Sequence, residues 1–226
     1  GARGLVLADL QPDALARAAA EVGGIAVTCD VTRESDMQAL VAKAEQHFGR
    51  IDIFFSNAGI YRPGGQESSD ADWSLNWNIH VMAHVYASRL LMPKMAEQQS
   101  GYFVITSSAA GLLTHVVSAT YATTKHAAVA FAEYLSITYG SQGVRVSVLC
   151  PQAVRTAMTE NLTQTTSKVD GMLEPEQLAD CVIKTMDAER FLILPHPTVL
   201  EYLRRKTSDY DRWLGGMRRL KERSLG

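Results

Sequence analysis

The chain is poor in cysteine, in excess charge of either sign and in long apolar runs, and each shortage narrows what it can be. Cys29, Cys150 and Cys181 are odd in number and widely separated. They form neither a disulfide framework nor a metal-ligand pattern, and read as buried or idle thiols of a reducing compartment. The 226 residues carry 22 basic and 24 acidic side chains, a formal charge of -2. That balance implies no polyanion-binding surface, so nucleic acid is not an expected partner. No apolar run reaches the length of a membrane span, and no signal-peptide pattern opens the sequence, so no membrane partner is expected and the expected location is cytoplasmic. Asn161-Leu162-Thr163 matches a glycosylation acceptor but is read as idle without a secretion signal. His80, His84, His115 and His126 show no metal-ligand spacing, so no metal is expected.

What is present is an alternation. Short apolar runs at 5–9, 25–29, 51–56, 102–107, 144–150 and 191–194 read as strands. Between them, 12–22, 32–48 (with Thr32 as its cap), 73–95, 121–139 and 176–187 read as helices, and 109–120 and 156–173 as loops. This pattern predicts an α/β fold: a doubly wound, Rossmann-like parallel sheet in three α/β/α layers. The expectation is one domain over 1–226, with a charged helical extension from about 195. Its Trp213–Arg223 part reads as a solvated helix or a subunit contact. Ligands bind such sheets beyond the carboxyl ends of the strands. Asp9, Asp30, Asn57, Ser108 and Pro151 all fall at such ends.

Tyr121 and Lys125 begin the fourth helical segment one turn apart, on one face. A free phenol titrates near 10 and is a poor acid or base at neutral pH. Lowering it to pH 7 takes about three units, or roughly 4 kcal/mol, which a close lysine and a bound cofactor's positive ring could supply.

Tyr121-Ala122-Thr123-Thr124-Lys125, Ser108 thirteen residues upstream, Asn57-Ala58-Gly59 and the helical Asn78 stand in an order and spacing that resemble the short-chain dehydrogenase/reductase family. The resemblance runs from Gly1 to about Leu194. It implies catalytic roles for Asn78, Ser108, Tyr121 and Lys125. Ser108 would orient the carbonyl, Tyr121 pass the proton, Lys125 hold the nicotinamide ribose and Asn78 hold a relay water. It also implies a nicotinamide dinucleotide bound by Asp9 at the adenosine ribose, Asp30 and Val31 at adenine, Asn57, Ala58 and Gly59 along the cofactor, and Val154 and Thr156 at the carboxamide. Asp9 repels a 2′-phosphate and Leu10-Gln11 supplies no balancing cation, so NAD is expected over NADP.

The sequence departs from the family pattern in three places. Ser56 stands where an Asn is usual, a change expected to touch the strand and not the chemistry. Gln152 stands where a Gly is usual, and is expected to point its amide into the substrate pocket. The opening strand and its glycine-rich phosphate turn are missing, so roughly thirty residues are absent by comparison with the usual βαβ unit. The expectation is that they lie outside this sequence; a parallel sheet without that strand would expose edges and lose core. The expected activity is hydride transfer between NAD(H) and a secondary alcohol or ketone, with an apolar pocket from Tyr61, 109–120 and a 156–173 lid. Small and apolar residues on 73–95 and 121–139 imply a homo-oligomer, tetramer or dimer, as in the family. The alternative is a non-catalytic dinucleotide-binding or scaffold protein of the same fold.

Overall fold

The computed structural model describes residues 1–160 and 170–225. Asn161-Leu162-Thr163 and half of the expected lid lie outside the described residues. The strands are β1 (Val6–Asp9), β2 (Ile25–Thr28), β3 (Ile53–Ser56), β4 (Gly101–Thr106), β5 (Val144–Leu149) and β6 (Leu192–Ile193). All pair in parallel, in two sheets: β1-β2, and β3-β4-β5-β6. Helices α1 (Pro12–Glu21) and α2 (Glu34–Phe48) follow the first two strands. Helices α3 (Asp70–Trp77) and α4 (Ala83–Glu97) lie between β3 and β4, and α5 (Ala110–Leu113) and α6 (Ala119–Tyr139) between β4 and β5. After β5 come α7 (Ala157–Glu160) and α8 (Pro175–Asp187), and after β6 come α9 (Thr198–Ser208) and α10 (Tyr210–Leu225). Alternating strands and helices thus give the expected Rossmann-like parallel arrangement, since parallel neighbours need a crossover.

The central strands are buried on both faces: Phe103, Val104 and Ile105 of β4 are fully inaccessible. Around them Leu91, Met92 and Met95 of α4, and Ala128, Ala132 and Leu135 of α6, close one core with Val146 and Val148 of β5. The α9 helix joins it through Val199, and Trp213 of α10 packs at its margin.

The two sheets do not pair with each other. A cavity of about 850 Å3 has walls from both, including Val6 and Ala8 of β1 and Ile53, Phe54 and Phe55 of β3. Ile53 and Phe55 are half exposed, which is unusual for apolar strand residues at this position.

Local differences have physical causes. Thr32 does not cap α2: its hydroxyl and N–H both donate to Asp30 Oδ1, at 2.7 and 2.9 Å, in a tight side-chain turn. The expected 73–95 helix starts earlier, because Ser69 accepts from the Asp72 N–H and caps it. It is also interrupted by a π turn at Asn78–Met82. Four residues of the expected 109–120 loop form α5, too short to carry a periodic signal.

Candidate active site

Helix α6 is started by Ser118, whose hydroxyl accepts from the Tyr121 N–H at 3.2 Å. That cap sets the first turn, and Tyr121 and Lys125 follow on the face turned to β4 and β5. Lys125 is 3% exposed, and its ammonium donates to the Thr106 carbonyl at the end of β4, at 2.9 Å. Burial lowers its pKa to about 8, with Cys150 opposing weakly. It remains cationic at neutral pH.

Tyr121 departs from expectation in one respect. Burial pushes its phenol above the ordinary value, while the Ser108 hydroxyl, which faces it, works the other way. The Lys125 ammonium lies 5.6 Å from the centre of the Tyr121 ring. It does not offset the desolvation, so the protein alone raises this pKa where the sequence led us to expect a lowered one.

Ser108 and its neighbour diverge. Ser107 is buried and donates to the Lys125 carbonyl at 2.8 Å, a structural bond between β4 and α6. Ser108 accepts from the Ala110 N–H at 3.1 Å and stands beside Tyr121. A similar division holds for the two asparagines. Asn76 is fully buried and its Nδ2 donates to the Asp72 carbonyl at 2.8 Å. Asn78 opens the π turn, and its side chain has no hydrogen bond among the described residues. Such one-turn bulges occur frequently at functional positions.

Asp9, Asp30, Val31, Asn57, Ala58 and Gly59 all line the large cavity. Asp9 uses Oδ1 on the Gln11 N–H at 2.9 Å, and Asp30 uses Oδ1 on Thr32. Each keeps a second carboxylate oxygen without a protein partner. Asn57 accepts from the Thr106 hydroxyl at 2.9 Å, which leaves its amide NH2 available. A methyl group added to Gly59 would stand 3.6 Å from both Lys125 Nζ and His80 Nε2, so this glycine joins the cavity to the Tyr121 site. These groups fit the adenosine and nicotinamide ends of a dinucleotide. For its pyrophosphate, no glycine-rich turn at a helix start lines the cavity among the described residues.

The segment after β5 carries Val154 and Thr156. Val154 is buried, and its carbonyl accepts from the Thr159 hydroxyl at 2.6 Å; Thr156 is exposed, and its N–H donates to the same hydroxyl at 3.0 Å. Gln152 is anchored at one end: its Nε2 donates to Asp170 at 2.7 Å, while its buried Oε1 has no hydrogen-bond partner. Asp170 also accepts from Thr198 and Tyr202 of α9, at 2.9 and 3.0 Å. Burial alone would raise its carboxyl, but those three hydrogen bonds hold it below the ordinary value.

His80 is not among the residues that the sequence points to for this site. It is fully buried, accepts the Ile60 N–H at Nε2 (3.0 Å) and pairs through Nδ1 with the Thr124 hydroxyl (2.8 Å). Because the Thr124 proton goes to the Thr120 carbonyl at 2.8 Å, His80 is the donor at Nδ1 and is neutral. Burial, with Lys125 nearby, lowers its pKa to about 2. Its ring also meets Tyr121 edge-on, with centroids 5.5 Å apart. Tyr61 and His115 complete an aromatic collar, at 5.4 and 5.8 Å from the Tyr121 ring. A histidine in a helix two residues after Asn78 has no periodic or spacing signal. Ser56 is likewise paired, with His84 Nδ1 at 2.6 Å.

Among the described residues no cluster of metal-ligating side chains occurs, and no helix is long and apolar enough to cross a membrane.

A family model described as short chain dehydrogenase matches residues 1–167. The chain is 32% identical over 216 residues to the 1-deoxy-11-beta-hydroxypentalenate dehydrogenase of Streptomyces exfoliatus, covering 91% of this chain and 78% of that one. It is 30% identical over 193 residues to the oxidoreductase UcpA of Escherichia coli K12, covering 82% and 72%. Among solved structures, a short chain dehydrogenase/reductase from Burkholderia phymatum in complex with NAD superposes with a TM-score of 0.81 at 30% identity, over 92% of this chain and 85% of that one.

Proposed function

For a chain that belongs to the short-chain dehydrogenase family, as this one does, we propose an oxidoreductase that works between NAD(H) and an apolar secondary alcohol or ketone, with Tyr121 as proton donor and acceptor. The observation that carries this reading is Gly59, which lies in the cavity wall with Asp9 and Asp30 and also against Lys125. Cofactor groups and proton-handling groups therefore meet at one place.

A bound nicotinamide dinucleotide supplies the hydride chemistry. Asp9 would hold the adenosine ribose hydroxyls, Asp30 and Val31 the adenine, and Asn57, Ala58 and Gly59 the nicotinamide half. Val154 and Thr156 would hold the carboxamide. Lys125 would bind the nicotinamide ribose hydroxyls, and Asn78 a water behind it. Ser108 would donate to the substrate oxygen as negative charge develops there. Tyr121 would give its proton to that oxygen in reduction and take it back in oxidation. The raised phenol pKa suits the donor role, and the acceptor role needs the added positive charge of the oxidised cofactor.

NAD is preferred in this reading because Asp9 keeps a free carboxylate oxygen in the cavity wall, and its charge would repel a 2′-phosphate. The aromatic collar of Tyr61 and His115 supports an apolar substrate. The name of the Streptomyces exfoliatus relative supports alcohol chemistry. Three unpaired cysteines fit a reducing cytoplasm, and exposed Tyr134 and Ile137 on α6 fit a homo-oligomeric contact.

Titration with NADH, followed by fluorescence transfer, and turnover of a panel of secondary alcohols and ketones test the proposal together. Tyr121→Phe is expected to keep NADH binding and lose turnover by about a thousandfold. Absence of NADH binding, or turnover that ignores this substitution, would sink the reading.

A further inference from the structure

A second cavity, of about 500 Å3, lies between the loop after α5 and the α10 helix. Its connection to the reaction site is His115, which lines it and also touches the Tyr121 ring from the collar. The middle of the cavity is apolar: Val116 comes from the loop, and Leu214 and Met217 from α10. Leu214 is 47% exposed although it sits on a strongly charged helix.

The two ends of the cavity differ in charge. Asp211 lies at the start of α10, with Arg218 seven residues and Lys221 ten residues further on. At 1.5 Å per residue the acid and the first cation are about 10 Å apart along the helix, with the apolar residues between them. Neither Arg218 nor Lys221 forms an ion pair among the described residues. Glu67, the other nearby acid, is held down chiefly by the Gly65 and Glu67 N–H groups, with Lys221 the weakest influence. Two cations thus meet an apolar trough that leads to the catalytic tyrosine, neither in ion-pair contact with a protein carboxylate among the described residues, and Glu67 acts on Lys221 only weakly. Ligand pockets are commonly apolar with a few well-placed polar groups that fix orientation.

We infer that this cavity receives the far end of the substrate, which is an apolar alcohol or ketone terminating in a carboxylate. Arg218 and Lys221 hold the carboxylate, Val116, Leu214 and Met217 cover the apolar body, and the reacting carbon lies beyond His115 at Tyr121. The inference rests on the redox reading above and narrows its substrate class.

The test separates anion recognition from chemistry. Calorimetry compares decanoate with methyl decanoate on the wild-type protein and on the Arg218→Gln/Lys221→Gln double variant, neither ligand being reducible. A charge-assisted contact to two cations is expected to favour the acid by about tenfold at low salt. That preference should shrink in 1 M NaCl, where the screening length is about 3 Å, and collapse towards unity in the double variant. Equal binding of acid and ester, or a preference that survives the double substitution, overturns the inference. A parallel assay compares a medium-chain keto acid with its methyl ester, using NADH. Reduction of both without discrimination overturns the carboxylate site and leaves the dehydrogenase reading intact. Acid-selective binding that depends on Arg218 and Lys221, with no reduction of any ketone, overturns the dehydrogenase reading and the substrate assignment with it.

Discussion

His80 and Thr124 share a hydrogen bond of 2.8 Å that ties the π turn to α6 one residue before Lys125. On its other side the imidazole accepts the Ile60 N–H, next to Gly59. One neutral ring therefore sets the distance between the Gly59 loop and the Tyr121–Lys125 pair. His80→Ala should cost about 2–3 kcal/mol, since it leaves the Ile60 N–H without its acceptor and the Thr124 oxygen without its donor. The loss should appear in the urea midpoint and as a raised KM for NADH. His80→Gln, which can replace one of the two bonds, should recover part of both. Loss of stability with an unchanged KM would assign the ring to folding alone.

Acid should destabilise this protein early. Burial lowers His80 to about 2 and His84 to about 3. Below about pH 6.5 the unfolded chain gains protons that the folded one refuses, so stability falls as pH falls. Each imidazole contributes about 1.4 kcal/mol per pH unit in that range. Urea melts between pH 7.5 and 5 should show the decline, and His84→Gln should make it shallower. An identical slope in the variant would remove His84 from the account.

Lys125 acts at the alkaline end. Its folded pKa of about 8 lies below the ordinary 10.5. Between those values the unfolded chain holds a proton the folded chain has released, so this group makes stability rise with pH. The cost of burying the cation is fully present below pH 8. Subtracting the Lys125→Met melting curve from that of the wild type isolates the effect. A flat difference between pH 8 and 10 would show that the ammonium is not strained by burial.

Asp9 shares its cavity wall with Arg3 and Arg50. Asp9→Ser removes the charge that repels a 2′-phosphate and leaves both cations in place. The ratio of NADPH to NADH affinity should rise about tenfold, read by paired titrations. An unchanged ratio would mean that the carboxylate does not face the ribose.

Gln152 is a latch on Asp170, which in turn holds Thr198 and Tyr202. Gln152→Gly should lower stability by about 1–2 kcal/mol, through the lost charge-assisted bond and the added backbone freedom. Asp170→Asn should do the same with Gln152 intact. A changed substrate preference without a change in melting would restore the pocket role that the sequence implied.

Much of the site was legible because its chemistry depends on local spacing. Tyr121 and Lys125 are one helical turn apart, and Asp9, Asp30 and Asn57 fall at strand ends that periodicity alone could find. Ser107 and Ser108 could be separated only by direction: one hydroxyl turns to the Lys125 carbonyl and the other stands at Tyr121. The Asn76–Asn78 pair divides in the same way, with the π turn beginning at the second.

Sequence alone determined the parallel α/β alternation, the helix that carries Tyr121 and Lys125 and the near-neutral surface, because hydrophobic period, capping and composition are properties of short stretches. Tertiary structure decided the rest. It buried His80 against a partner 44 residues away, turned Gln152 to Asp170 and raised the Tyr121 phenol instead of lowering it. Each of these depends on which distant groups share a desolvated space, and desolvation is a property of the packed molecule.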